Sequence, residues 1–542
     1  MSSSNLADHL RKHLRGEVVA SDRVLNHLSS DGSLFSIRPK AAIYPRDVDD
    51  VRKAARFSWQ LSERGKKLAI TPRGRGTNQN GGAIGNGLIV SLARHMNKLI
   101  DIDTNTITVQ PGMGYMELQK TLLSHGRHLP IYPETSGQAT IGGVLADNSY
   151  SRKAIKYGLI ADHVQELEVV LANGQVIRTR PLSKRELNKK KGQTDLEGEI
   201  YRAVDSLLLD NESMIEQLKE SSGLDTAGYN LWGVRRPKGE FDLSRLIIGS
   251  QGSLGIITEV VLKTNTLNPD VHLALLGFDD ISKAIDVLQA NPKLKPSSVE
   301  MVGSSLLEQI QQHHPDELNG VIEDNIPAVT LLVEFDDEKT GTRKHKVKKL
   351  KKAVKEITEE VRVSTDPDEQ DDIRKAIHSF TSLTWVDQGK KKFLPIIDGF
   401  SVPVDKVAEF IPKAYEICNT HHLDNPAIWG SIGDGHLQLY SWLDLDSAGD
   451  RQAVFKVMDE LCSYIASIGG SVVAGGDSGR YKGAYLRNQY GEAGYGLFTQ
   501  VKQAFDPQSI LNPEVKLGSD KDSLRKIMRS NYEGWHLYET SL

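Results

Sequence analysis

Hydrophobic and polar residues in the first half of the chain alternate with the spacing of short strands and amphipathic helices. After Pro45-Arg46-Asp47, the apolar residues of segment 48–59 recur on one helical face, which predicts a helix. Apolar runs at 68–70, 87–92 and 106–109 predict strands, and segment 1–34 is predicted to be helical and polar. The runs 164–171 and 176–177 flank Asn173-Gly174, which predicts a hairpin because this dipeptide suits tight turns with positive φ.

From about residue 271 the pattern changes to longer strands alternating with helices. Strands are predicted at 272–278, 328–335, 395–403 and 428–442, and helices near 280–289, 341–358, 404–419 and 450–467. This order is typical of a layered α+β domain with an antiparallel sheet.

Two turns rich in glycine and threonine interrupt the strands of the first half. The first is Pro72-Arg73-Gly74-Arg75-Gly76-Thr77-Asn78, and the second runs from Thr135 to Gly143. Glycines at such spacing let the backbone approach a ligand closely, and successive N–H groups can then hold a phosphate. A Gly-x-Gly-x-x-Gly nucleotide site followed directly by a helix is not present here. The pattern therefore predicts a dinucleotide whose pyrophosphate is held by loops.

Five motifs in a fixed order carry a resemblance to a known family. They are Pro39…Pro45, Pro72 to Thr77, Pro133-Glu134-Thr135…Thr140-Ile141-Gly142-Gly143, Tyr157-Gly158…Asn173-Gly174, and Gly249 to Ile257. Together they resemble the PCMH-type FAD-binding domain of the vanillyl-alcohol oxidase superfamily. The segments Gly430 to Gln438 and Phe505-Asp506-Pro507…Leu511-Asn512-Pro513 make the chain most similar to flavoprotein subunits of the D-lactate dehydrogenase and glycolate oxidase type.

The resemblance implies an α+β fold with a two-part PCMH-type FAD-binding domain and an α+β substrate, or cap, domain with an antiparallel sheet. The expected division is an N-terminal helical segment (1–34), the FAD-binding domain (35–267), the substrate domain (268–504), and a C-terminal segment (505–542) that returns to the FAD-binding domain and ends in a tail.

FAD is the cofactor that the resemblance implies. Thr77 stands where some relatives attach FAD to a histidine, and the FAD-binding half has no cysteine, so noncovalent FAD is expected. The residues carried over as FAD-binding are Arg73, Gly74, Arg75, Gly76, Thr77, Asn78, Pro133, Thr135, Thr140, Gly142, Gly143, Gly252, Gly255 and Ile257.

The second half departs from the family pattern at the positions where metal-dependent relatives bind a divalent ion. Ser431 and Gln438 replace two histidines, and Asp477-Ser478 replaces a glutamate and a histidine. We therefore expect no metal of the family type.

His436 occupies a position that is asparagine in relatives. On a strand it shares one face with Gln438 and Tyr440, the face that meets the flavin in relatives. We predict His436 as the general base, with Gln438 and Tyr440 beside it; the alternative is a histidine held only structurally in the interior. Arg374 corresponds to a carboxylate-binding arginine of relatives, and the alternative is a surface residue.

Composition restricts the partners and the cellular location that can be expected for this chain. The chain has 542 residues, 39% of them hydrophobic, and a net charge of -4, which argues against nucleic acid as a partner. Two cysteines, Cys418 and Cys462, exclude a disulfide framework. The first residues show no secretory signal, and no apolar run is long enough to span a membrane. A cytoplasmic protein is expected, with peripheral contact at the inner membrane face left open.

The predicted function is FAD-linked oxidation of a small hydroxylated substrate by hydride transfer, with a D-2-hydroxy acid such as D-lactate as first choice. A metal-free alcohol or sugar oxidoreductase is the alternative among enzymes, and a flavin-binding protein without catalysis is the alternative of another class. The expected electron acceptor is a quinone, a cytochrome or an electron-transfer protein, by analogy with the family.

Overall fold

The computed structural model describes residues 3–134, 137–220, 224–322, 325–386, 388–476 and 478–532. In chain order the strands are β1 (Glu17–Val19), β2 (Ala41–Tyr44), β3 (Ile70–Arg73), β4 (Leu88–Ser91), β5 (Leu99–Ile102), β6 (Thr106–Val109), β7 (Arg127–His128), β8 (Val164–Val170), β9 (Val176–Thr179), β10 (Ile256–Lys263), β11 (Asn265–Thr266), β12 (His272–Phe278), β13 (Ser298–Gly303), β14 (Val329–Phe335), β15 (Val361–Ser364), β16 (Lys392–Ser401), β17 (Asp424–Ser431) and β18 (His436–Leu443).

The α-helices are α1 (Ser3–Arg11), α2 (Asp22–His27), α3 (Val48–Glu63), α4 (Tyr115–Ser124), α5 (Ile141–Asp147), α6 (Ala154–Tyr157), α7 (Ile160–His163), α8 (Lys184–Lys191), α9 (Leu196–Asp210), α10 (Glu212–Glu220), α11 (Ser244–Ile247), α12 (Ile281–Ala290), α13 (Ser304–His313), α14 (Thr340–Val354), α15 (Pro367–Ile377), α16 (Phe380–Leu383), α17 (Val407–Thr420), α18 (Ala448–Ser467), α19 (Leu486–Phe505) and α20 (Lys521–Ile527). Short 3₁₀ turns lie at Leu231–Gly233, Pro292–Leu294, Pro315–Glu317, Val404–Lys406 and Lys482–Tyr485.

The first half contains two principal sheets. A four-stranded sheet has the order β1-β2-β4-β3, with β2, β4 and β3 parallel, and a five-stranded antiparallel sheet has the order β5-β6-β10-β8-β9. The helix predicted after Pro45 is α3, whose first turn is capped by Asp47. The predicted hairpin is confirmed as β8 and β9. These two sheets carry the glycine-rich loops on their connecting segments.

The predicted helical character of segment 1–34 is only partly correct. α1 and α2 are separated by β1, which pairs antiparallel with β2. β1 is three residues long and lacks a run long enough to be recognised from its own sequence. Pairing with a neighbouring strand therefore decides its conformation.

The second half forms the predicted α+β unit around a seven-stranded sheet in the order β15-β12-β14-β13-β17-β18-β16, antiparallel throughout. The helices predicted near 280–289, 341–358, 404–419 and 450–467 are confirmed as α12, α14, α17 and α18. One face of the sheet packs against α13, α15 and α16 through an apolar cluster that includes Trp429, Tyr440 and Phe380.

The single strand predicted at 428–442 is wrong. The chain forms two antiparallel strands, β17 and β18, joined by the turn 432–435. Gly435 makes this turn possible because its φ is 77° and a Cβ would lie 1.8 Å from the Val402 carbonyl oxygen. The hairpin places His436 at the first position of β18, directly opposite Ser431.

The C-terminal segment contacts the first half through β3. The Ile70 N–H donates to the Ile510 carbonyl at 2.8 Å, and the Asn512 N–H donates to the Ile70 carbonyl at 2.7 Å. The Asn512 side chain also donates to the carbonyls of Gly82 and Gln251. The domain boundaries given above remain a prediction. Within the described segments, no helix has the length and apolar character needed to cross a membrane.

Candidate active site

The predicted cofactor residues gather around one cleft with about 760 Å³ of open space. Three segments of the first half form the walls of the cleft: the turn after β3, the start of α5 and the loop before β10. The predicted residues that line it are Arg73, Gly74, Arg75, Gly76, Thr77, Asn78, Thr140, Gly142, Gly143, Gly252, Gly255 and Ile257. Thr135 lies outside the described residues.

The polar groups of this glycine-rich cleft fit a pyrophosphate. The backbone N–H groups of Arg75, Gly76 and Thr77 donate to no acceptor within the described protein. Arg73 is buried, and its Nη2 has no hydrogen-bond partner there, as is also true of Ser250 Oγ. Free N–H donors beside a buried guanidinium are the donor set that binds phosphate oxygens. The cleft therefore fits the anionic centre of FAD.

Gly252 allows the third loop to close against the first. Its φ is 71°, and a Cβ there would lie 2.1 Å from Pro72 Cγ. A side chain would have to displace the proline ring in a backbone conformation that residues other than glycine rarely adopt. The two loops can form adjoining walls of the cleft only with glycine at this position.

A second cavity continues from this cleft towards the seven-stranded sheet. We call it the histidine cavity; it has about 620 Å³ of open space, and its walls include Glu134, Tyr150, Asp398, His436 and Gln438. It shares Thr77, Asn78 and Asp147 with the glycine-rich cleft and includes the predicted cofactor residue Pro133. A ligand extended along the first cleft can therefore reach the side chains of β18.

His436 is buried in the wall of this cavity, and its ring stacks on Tyr150 with centroids 3.7 Å apart. Neither ring nitrogen has a hydrogen-bond partner in the described parts of the chain, and Nδ1 is fully buried. Burial, assisted by the positive charge of Lys482, lowers the pKa of His436 to about 3. The imidazole is therefore neutral at physiological pH and has a lone pair available.

Gln438 and Tyr440 follow His436 on the same face of β18, as the alternation of the strand predicts. Gln438 lines the cavity and hydrogen-bonds Glu134. Glu134 is exposed at the cavity surface, yet the surrounding walls desolvate it and raise its pKa to about 7 against the effect of that hydrogen bond. The Tyr440 hydroxyl donates to Gln79 Oε1 at 2.7 Å, so Tyr440 reaches the cavity through a residue of its wall.

Arg374 does not meet His436 in this structure. It lines a different cleft, whose walls also include Tyr132 and Arg152, and forms an ion pair with Glu334 at 3.0 Å. Its predicted role at the substrate carboxylate finds no support in this position, because a carboxylate partner within the protein already occupies the guanidinium.

Arg152, which sequence reasoning missed, lines a cavity that adjoins the one containing the predicted base. This third cavity shares Pro133, Glu134 and Tyr150 with the histidine cavity. Among the described residues no carboxylate lies within ion-pair distance of Arg152; its recorded polar contact is His378 Nδ1 at 3.5 Å. The sequence around Arg152 contains no motif that would have indicated this placement.

No cluster of three or more histidine, cysteine, aspartate or glutamate side chains suited to a metal ion occurs in the portions of the chain that are described. Ser431 and Gln438 stand near the cavities, and Asp477 lies outside the described residues. The expectation of no metal remains a prediction.

Comparison with protein families gives two matches in chain order. A model described as an FAD binding domain matches residues 39–180, and a model described as FAD linked oxidases, C-terminal domain, matches residues 267–515. A solved structure of p-cresol methylhydroxylase with substrate bound aligns with a TM-score of 0.67 and 17% identity, covering 96% of this chain and 98% of that one. The PCMH-type fold class is thereby confirmed.

Two curated relatives match nearly the whole chain. D-2-hydroxyglutarate dehydrogenase of Pantoea ananatis is 27% identical over 502 residues, which is 90% of this chain and 48% of that protein. Glycolate oxidase subunit GlcD of Bacillus subtilis is 27% identical over 500 residues, which is 90% of each chain. The chain thus spans about half the length of the Pantoea ananatis protein and nearly all of the GlcD subunit.

Proposed function

Since this chain belongs to the FAD-linked oxidases, with FAD as its cofactor, we propose that it oxidises a D-2-hydroxy acid to the 2-oxo acid. The observation that carries the proposal is the continuity of the glycine-rich cleft with the cavity that contains the neutral His436, whose ring nitrogens have no hydrogen-bond partner among the described residues. One ligand can thus extend from the phosphate-binding loops to a proton acceptor.

The loops of the first half hold the cofactor without a covalent bond in this proposal. Arg73 and the N–H groups of Arg75, Gly76 and Thr77 would bind the pyrophosphate. Bound FAD supplies the acceptor for the hydride that leaves C2 of the substrate. The two cysteines of the chain, Cys418 and Cys462, are both buried in the second half.

His436 is the proposed general base. As hydride leaves C2, the substrate hydroxyl gives its proton to a free nitrogen of the neutral imidazole, and a carbonyl forms at C2. Gln438 and Tyr440 are the proposed polar neighbours of the reacting hydroxyl, Gln438 in the cavity wall and Tyr440 through Gln79. The low pKa leaves a lone pair of the imidazole free at physiological pH, and it also makes His436 a weaker base than a histidine that titrates near neutrality.

Arg152 is the proposed partner of the substrate carboxylate, because it lines the connected cavity and no carboxylate of the described residues lies within ion-pair distance of it. Arg374 remains a candidate on the resemblance alone. The names of the relatives favour a hydroxy acid, as D-2-hydroxyglutarate dehydrogenase and a glycolate oxidase subunit both match.

The electron acceptor and the location are proposed from the family and from the sequence. We propose reoxidation by a quinone, a cytochrome or an electron-transfer protein in the cytoplasm, with contact at the inner membrane face left open.

Anaerobic mixing of the FAD-loaded protein with D- and L-2-hydroxy acids, alcohols and sugars tests the proposal, with flavin absorbance as the readout. We expect bleaching by a D-2-hydroxy acid, with and without a chelator. Bleaching only by alcohols or sugars would favour the alternative enzyme class. An unreduced flavin with every compound would favour a flavin-binding protein without catalysis.

A further inference from the structure

The third cavity is large enough to hold more than a short hydroxy acid. We call it the aromatic pocket; its walls include Tyr132, Arg152, Glu300, His378, Phe380 and Trp429, and it has about 820 Å³ of open space. Glycolate or lactate beside His436 would leave most of the pocket without contacts.

The sheet directs the wall of this pocket towards the histidine cavity. Trp429 on β17 lies directly opposite Gln438 on β18, and Val302 on β13 lies opposite Trp429. Residues that face each other across antiparallel strands present their side chains on one face of the sheet. On this face of the sheet, Gln438 lies in the wall of the histidine cavity, and the indole of Trp429 beside it lies in the wall of the aromatic pocket.

An aromatic pair forms the apolar surface of the pocket. The rings of Phe380 and Trp429 lie 4.7 Å apart at an interplanar angle of 34°, and both residues are buried. Trp429 Nε1 is a buried donor that has no hydrogen-bond partner within the described protein. An aromatic surface of this kind favours contact with another aromatic ring at offset or edge geometry.

The charges of the pocket oppose a second carboxylate. His378 Nε2 lies 2.6 Å from Glu300 Oε2. Burial raises the pKa of Glu300, but the charge and hydrogen bond of His378, with the charges of Arg152 and Arg374, outweigh it and lower that pKa to about 2. The pocket thus contains an ionised carboxylate, with Glu134 at its entrance. Arg152 can bind one substrate carboxylate there, whereas a second one would face Glu300.

From this geometry we infer that the substrate is a 2-hydroxy acid with an uncharged aromatic side chain, which occupies the aromatic pocket against the surface formed by Phe380 and Trp429. The inference rests on the proposed function and specifies its substrate class. Arg152 binds the carboxylate at C1, His436 faces the hydroxyl at C2, and the ring extends into the pocket.

The test compares D-phenyllactate with D-lactate and D-2-hydroxyglutarate in anaerobic flavin reduction by the FAD-loaded protein. Burial of a phenyl ring predicts a rate constant at low substrate about 10- to 100-fold higher for D-phenyllactate than for D-lactate. A second readout needs no turnover: phenylpyruvate is expected to perturb the spectrum of the oxidised flavin at lower concentration than pyruvate does. Equal or better reduction by D-lactate or D-2-hydroxyglutarate would overturn the inference and leave the proposed function intact. Failure of all three acids to reduce the flavin would overturn both.

Phe380→Leu tests the pocket itself, because leucine keeps an apolar side chain and removes the ring. We expect the preference for D-phenyllactate over D-lactate to fall about three- to tenfold, together with the preference for phenylpyruvate over pyruvate. Trp385→Leu is the matched control, since Trp385 follows α16 and is 51% exposed. An unchanged preference in Phe380→Leu, or an equal change in both variants, would overturn the inference.

Discussion

Acidification is expected to destabilise this protein through His436, and the pKa determines how much. Burial and the charge of Lys482 lower the pKa of the folded imidazole to about 3, whereas an unfolded histidine titrates near ~6.5. Between these two pH values the unfolded state binds a proton that the folded state does not. The free energy of unfolding therefore rises with pH over this range. The part of it that depends on a neutral His436 is fully present above about pH 6.5 and is lost as the pH falls below that value.

The magnitude at about pH 5 follows from the distance to the unfolded pKa. That pH is about 1.5 units below ~6.5, and each unit corresponds to about 1.4 kcal/mol, so protonation of the unfolded chain removes about 2 kcal/mol. We expect His436→Asn to lose about 2 kcal/mol less than the parent between about pH 8 and pH 5. Urea unfolding at a fixed excess of FAD measures both losses, and comparison of each protein with itself cancels the pH-independent cost of the substitution.

His125→Asn is the control for this measurement. His125 is exposed near the end of α4 and lines neither the histidine cavity nor the glycine-rich cleft. We expect this variant to lose the same stability as the parent on acidification. If His436→Asn also lost as much as the parent, the reasoning that burial keeps His436 neutral would be refuted.

Two substitution pairs test the cofactor and substrate sites. Gly252→Ala, which places a Cβ against Pro72 at positive φ, is expected to weaken FAD binding at least about tenfold, measured by flavin fluorescence. Gly341→Ala, whose Cβ would have no heavy atom within 4 Å, should leave FAD affinity unchanged. Arg152→Lys is expected to raise KM for the acid about tenfold with little change in kcat, because paired guanidinium bonds are lost. Arg374→Lys should instead lower Tm, because it weakens an internal ion pair. If Arg374→Lys raised KM and Arg152→Lys left KM unchanged, the role first assigned to Arg374 would be supported.

The cofactor loops could be predicted from sequence because each one is local. Gly74, Gly76 and Thr77 adjoin one another in the chain, and the backbone N–H groups that face the cleft belong to consecutive residues. The hairpin β17–β18 was missed for a different reason. Apolar residues stand on both sides of the turn at 432–435, and its turn signal, Gly433-Asp434-Gly435, lies inside the segment that resembles a family motif.

The substrate side of the site depends on contacts that no local pattern records. The strand alternation correctly placed His436 and Gln438 on one face, since this needs only a period of two residues. The position of Arg152 depends on how the segment before α6 packs against the end of α15, more than 220 residues away in sequence at His378. Arg374 was assigned by its position in the family pattern, which does not reveal that Glu334 would bind it.

The cofactor and the substrate are therefore expected to depend on different kinds of protein group. Backbone donors hold the pyrophosphate, so FAD binding depends on loop conformation and responds mainly to changes at glycines such as Gly252. Side chains on the sheet and on α15–α16 line the substrate cavities, so a single exchange such as Phe380→Leu alters selection without touching the cofactor loops. Among the described residues, the glycine-rich cleft and the aromatic pocket have no wall residue in common. Substitutions in one of them should therefore affect cofactor affinity and substrate preference independently.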